Sequence, residues 1–252
     1  MLSKAKLKYI RSLDLKKNRK HEQAFVAEGP KLVEDLSVFY SCKLLLATEE
    51  WSGAHPNFPA TEKCIVTAEE LKKASFLVTP QDVLAVFSYE DEESDESIPK
   101  KELCLALDDV QDPGNLGTII RLADWFGIRH IFCSQGTVDA YNPKVVQATM
   151  GALARVRLHY LSMAAFVERL SIENVPIYGT FLDGADMYNQ EMTTNGLLIM
   201  GNEGKGITSE VASLVNKRLF IPNYPIGKET SESLNVATAT AVILAEFRRR
   251  MR

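Results

Sequence analysis

The sequence has no long apolar run. Hydrophobic residues fill 46% of its 252 positions, but none are gathered into the stretch of roughly 20 that a bilayer crossing needs. The opening MLSKAKLKYIRSLDLKKNRK lacks the apolar centre of a secretory leader, so a soluble, cytoplasmic protein is expected. Cysteine is scarce and scattered, at Cys42, Cys64, Cys104 and Cys133. That spacing excludes zinc knuckles and redox pairs, and free, mostly buried thiols with no metal site are expected. Phosphate fingerprints are missing too. The glycine-rich GNEGKG at 201–206 runs G-x-x-G-x-G rather than G-x-G-x-x-G, and Ile207 follows where a Walker loop needs lysine and a hydroxyl. A nucleotide-binding oxidoreductase is left without support.

What is present is ordinary globular composition with charge unevenly placed. Lysine and arginine number 29 against 33 acids, a net charge of −4, which by itself argues against a nucleic-acid partner. Distribution matters more than the total. Residues 4–20 hold Lys4, Lys6, Lys8, Arg11, Lys16, Lys17, Arg19 and Lys20 against Asp14 alone, and the chain closes on Arg248, Arg249, Arg250 and Arg252. Either end could be a phosphate-binding surface or a solvated helix face. Between them EDEESDES, at 90–97, cannot bury apolar surface and reads as a linker.

Residues 1–95 therefore read as one small α/β domain, 96–100 as the end of the linker and 101–252 as a second domain. In the first, KLLLAT, KCIVT and VLAVFSY are strand candidates, a helix follows Gly29-Pro30, and Thr67 caps a short helix over Ala68 to Ala74. In the second, LCLALD, HIFC, IYGTF, LLIMG and RLFIP are apolar without alternation, the mark of a parallel sheet covered on both faces. Ligands bind beyond the carboxyl ends of such strands. The polar, glycine-rich loops 108–117, 201–206 and 222–235 fall there. In the first, Asn115 can cap a helix or meet a ligand, and Arg121, nearly two helical turns on, can bind a ligand or form a surface ion pair. In the third, one of Ser231, Ser233 and Asn235 caps a long helix over Val236 to Arg250.

Taken together and in this order, PGNLGTIIRLADWFG, LIMGNEGKGI and SLNVATATAVILAEF resemble the three motifs of the SpoU (TrmH-type) RNA 2′-O-ribose methyltransferases of the SPOUT superfamily. SLDLKKNRKHEQAFVAEGPKLVEDL resembles the accessory RNA-binding domain that precedes many members. The resemblance implies a C-terminal trefoil knot, a homodimer with a shared active site, and S-adenosylmethionine as methyl donor. By motif position it implies a catalytic set of Asn115, Arg121, Glu203, Ser233 and Asn235. It implies a cofactor held around Thr180, Gly201, Ile221 and Leu234, where a side chain at 201 would block approach to the adenosine. Two departures stand out: NYPIGKETSE is longer than the family's usual I-P-M-x-G pattern, and Ala237 stands where serine is common.

Such a transfer needs in-line approach and loss of the ribose proton, but no metal. No histidine lies in the three motifs, and His130 and His159 read as structural. A guanidinium stays protonated, so Arg121 is expected to bind phosphate and steady alkoxide charge while the proton leaves to phosphate or water. Ribosomal RNA is the first expected partner and transfer RNA the second. A non-catalytic RNA-binding or ribosome-assembly protein is the reading from another class.

Overall fold

In the computed structural model, residues 2–90, 94–225 and 233–251 are described. They divide into two units: 1–91 with 139–154, and 92–138 with 155–252.

The first unit opens with the basic helices α1 (Lys4–Ser12) and α2 (Lys16–Glu22). Then β1 (Ala24–Glu28) leads into α3 (Pro30–Ser37), whose proline occupies the first turn, where its missing N–H costs nothing. The expected strands follow as β2 (Cys42–Ala47), β3 (Glu62–Ile65) and β4 (Val83–Ser88), with α4 (Glu49–Ala54) and α5 (Ala68–Ala74) between them. Thr67 and Glu70 form a reciprocal capping box on α5. The sheet order is β1-β4-β2-β3, antiparallel except for β2 and β3.

Basic residues here are less available than the sequence suggests. Arg19 is buried at 2% exposure; it pairs with Asp139 at 2.6 Å and donates to the carbonyls of Leu13 and Asp14. Lys6 pairs with Glu62, and Arg11 donates to the Ser75 carbonyl over the Phe76 ring. Lys4, Lys8, Lys17 and Lys20 remain exposed.

The second unit is a six-stranded sheet in which every pairing is parallel, ordered β10-β8-β9-β5-β6-β7. Its elements are β5 (Leu103–Asp108), α6 (Pro113–Trp125), β6 (His130–Ser134), β7 (Arg157–Leu161), α8 (Met163–Ile172), β8 (Ile177–Asp186), β9 (Gly196–Gly201), α9 (Ser209–Ala212), β10 (Lys217–Phe220) and α10 (Val236–Arg249). The central strands β5 and β9 are buried along their whole length, as unbroken apolar runs require. The missed strand is β7, at the sheet edge: RLHYL alternates polar and apolar residues instead of forming an unbroken apolar run.

Between β6 and β7 the chain forms α7 (Pro143–Thr149), which packs on β1 within the first unit. A single cut near residue 95 assigns this segment to the second domain; its buried Val145, Val146 and Leu153 group it with the first instead. Of the C-terminal arginines, Arg248, Arg249 and Arg250 are structural ties, and Arg252 lies outside the described residues. Arg248 donates to the carbonyls of Phe126 and Gly127, while Arg249 and Arg250 hold the buried Glu246. These bonds, Arg249 first, carry the Glu246 carboxyl down to about 2.

Candidate active site

The loops that follow β5 and β9 and the segment that enters α10 meet in one network. β5 and β9 are neighbours with Asp108 opposite Gly201, so the chain beyond each strand emerges side by side. Pro113 starts α6, and the cap is Asp112, whose carboxylate accepts from the Asn115 amide at 2.8 Å. The Asn115 side chain is thus released from capping. Its Nδ2 donates to Glu203 at 3.0 Å, and its Oδ1 accepts from Asn235 Nδ2 at 2.8 Å. Asn235 in turn caps α10, with Oδ1 accepting from the amides of Ala237 and Thr238. A carboxylate and two side-chain amides from three distant segments form one line.

Glu203 accepts more than Asn115. The amide of Asp112 reaches it at 3.2 Å and that of Gln111 at 3.4 Å. Partial burial pushes its carboxyl up, but the hydrogen bond from Asn115 and those from backbone amides outweigh this and leave it below the usual range. An ionised acceptor with its lone pairs engaged is a poor proton acceptor and a good orienting group.

Arg121 is exposed on α6 and makes no hydrogen bond or ion pair among the described residues. Ser233 is exposed two positions before the α10 cap; Ser231 lies outside the described residues. His130 and His159 stack and bond to each other at 3.0 Å on β6 and β7, apart from these loops.

Of the four positions expected near a cofactor, Gly201 and Ile221 sit at strand ends, Thr180 lies inside β8, and Leu234 lies at the entry to α10. Thr180 follows Gly179, the residue after which the β8 ladder to β10 jumps to Ala185. Gly201 ends β9, Ile221 follows the last residue of β10, and Leu234, 51% exposed, precedes the α10 cap. None of the four carries a charged side chain. The reason for glycine at 201 differs from the expected one. A Cβ there would strike the Gly206 carbonyl carbon and the Ile207 nitrogen of the chain itself, so the glycine lets the 202–207 turn fold back on β9. Among the described residues no group of histidine, cysteine and acidic side chains could hold a metal.

Sequence reasoning missed Asp112, Asn202, Asp109 and Ser134. The first was legible, since Asp before Pro is a helix-start pattern; the others act through contacts between loops.

An open parallel sheet with a polar network beyond its strand ends defines an α/β enzyme of the kind that binds ligands at that edge. Residues 102–245 match the SpoU rRNA Methylase family, and residues 4–85 match an MRM3-like substrate binding domain. The chain belongs to the SpoU rRNA methylase family. It is 29% identical over 245 residues, 96% of each chain, to a 23S rRNA guanosine 2′-O-methyltransferase of Bacillus subtilis. A TrmH-family structure from Porphyromonas gingivalis superposes with a TM-score of 0.88 at 43% identity, over 99% of each chain. An AdoMet-bound rRNA methyltransferase from Sinorhizobium meliloti does so with a TM-score of 0.83 at 29% identity, over 100% of this chain and 97% of that one.

Proposed function

We propose that this protein transfers a methyl group from S-adenosylmethionine to a ribose 2′-hydroxyl of ribosomal RNA. The observation that carries the proposal is the Glu203–Asn115–Asn235 line, in a chain of the SpoU rRNA methylase family. The donor, when bound, supplies an electrophilic methyl on a sulfonium. Thr180, Gly201, Ile221 and Leu234 would hold it.

The ribose oxygen that would accept this methyl has to lose its proton. Arg121 cannot take the proton, since a guanidinium stays charged. It binds the phosphate beside the target nucleotide and stabilises the developing alkoxide, and the proton passes to phosphate or water. Glu203 holds Asn115, Asn115 and Asn235 hold each other, and with Ser233 they position ribose and Arg121. Exposed Lys4, Lys8, Lys17 and Lys20 add phosphate contacts without sequence information.

The trefoil knot belongs to this reading. It is supported by α10, which packs on α6 and β9 after the chain has left β10 at the far edge of the sheet. A homodimer with a shared site and a cytoplasmic location follow from the same reading.

The test incubates purified protein with labelled donor and with ribosomal or transfer RNA from a strain lacking the gene, then maps 2′-O-methyl sites. Label in ribosomal RNA at a site absent from the deletion strain is expected, without added divalent ion for the donor-binding step. Label confined to transfer RNA would move the substrate, and no label with the donor bound would favour a non-catalytic RNA-binding protein.

A further inference from the structure

Asp109 is the residue that turns the chain from β5 toward the candidate site, and it does so in the left-handed region, at φ 60°. Outside glycine that conformation is uncommon; Asp and Asn tolerate it best, and it persists where surroundings hold it. Here one hydroxyl holds both ends of the residue. Ser134 Oγ, buried at the end of β6, donates to Asp109 Oδ1 at 2.5 Å and accepts from the Asp109 amide at 2.9 Å. Thr137 donates to the Leu107 carbonyl and lies 3.2 Å from the same hydroxyl. Gly136 leaves the space, since a Cβ there would land on the Asp109 carboxylate.

The turn aims the Asp109 carbonyl at the second loop. Asn202 Nδ2 donates to it at 2.7 Å, while Asn202 Oδ1 accepts from the amides of Gly204 and Lys205 at 3.0 Å each. The Asn202 backbone also exchanges both hydrogen bonds with Gly206 at 2.9 Å. Glu203 is the next residue and Asp112 is three beyond Asp109, so this clasp fixes the separation across which Glu203 meets Asn115.

We infer that Asp109, Ser134 and Asn202 are positioning residues for methyl transfer, a left-handed clasp that sets the Glu203–Asn115 contact from behind. The inference rests on the function proposed above.

The experiment measures single-turnover methylation at saturating donor and RNA, together with donor affinity and thermal unfolding, in the full-length protein. Ser134→Ala and Asp109→Ala should each slow transfer at least about tenfold while donor affinity stays within about twofold. Asp109→Asn, which keeps both the left-handed preference and an acceptor for Ser134, should recover most of the rate. In an Asn115→Ala background, Asp109→Ala should cost no more than about twofold, because the contact it protects is already gone. Unchanged rates, equal losses in both backgrounds, or donor affinity falling in step with rate would each overturn the inference. If Asp109→Ala does not fold, Ser134→Ala and Asp109→Asn decide on the same criteria. Wild-type protein that binds donor but methylates no RNA would overturn the functional reading and this inference with it. Wild-type activity with indifferent variants overturns the inference alone.

Discussion

Arg121 separates a structural from a catalytic role at the scale of one side chain. Truncating an exposed arginine held by a carboxylate costs on the order of 1 kcal/mol or less, and Arg121 has no such partner among the described residues. Arg121→Ala should therefore leave the unfolding midpoint unchanged and cut single-turnover methylation by at least about 100-fold at constant donor affinity. Arg121→Lys should recover little, because a point charge does not reproduce the planar fork. Near-normal rates at saturating RNA would remove Arg121 from the mechanism. Glu203 yields a prediction in pH. Its carboxyl sits below the usual range, so its contribution is complete above the ordinary glutamate value of about 4.3 and is lost only as pH falls through the lowered folded value. The rate profile should show no limb at about 4.3 that Glu203→Gln removes.

At the scale of elements, the start of α10 does two things with one residue. Asn235 Oδ1 caps the helix, and its Nδ2 holds Asn115. Asn235→Ala should lose a cap, worth about 1 kcal/mol, and the contact together. Asn235→Asp separates them: the cap survives and stability changes little, but an acceptor now faces Asn115 and methylation should fall at least about tenfold. Equal stability and equal rate would show that the Asn115 contact is dispensable. The β9 end behaves differently. Because a Cβ at Gly201 meets the chain's own Gly206 and Ile207, Gly201→Ala should lower the unfolding temperature and weaken donor binding in parallel. Binding lost at full stability would restore the simpler picture of a side chain blocking the donor.

At the scale of the whole molecule, the first unit is not the first stretch of sequence. Residues 139–154 belong to it, with Asp139 held by the buried Arg19. Deleting residues 1–95 would strip the cover from Val145, Val146 and Leu153, so loss of RNA binding in that truncation would not isolate an RNA contact. Charge substitution does. Replacing Lys4, Lys8, Lys17 and Lys20 with glutamine should leave folding and donor binding unchanged. It should reduce the salt dependence of RNA affinity by about 0.7 in log-log slope for each single-strand phosphate contact removed. An unchanged slope would take the basic helices out of RNA binding.

The strands of both sheets were legible because unbroken apolar runs and turn residues are local signals, and β7 escaped because RLHYL alternates polar and apolar residues. The helix starts at Thr67 and before Val236 were legible for the same reason, as was the family, whose three motifs are short and linear. Which polar residue does what was not. That Asn115 bridges Glu203 and Asn235, that Arg19 is committed to Asp139 and that Arg248 is tied to the Phe126 carbonyl are matters of pairing between segments about 90 to 120 positions apart. A hydrogen bond commits a side chain only when its partner arrives, and the partner's arrival is set by strand order, which no local pattern encodes.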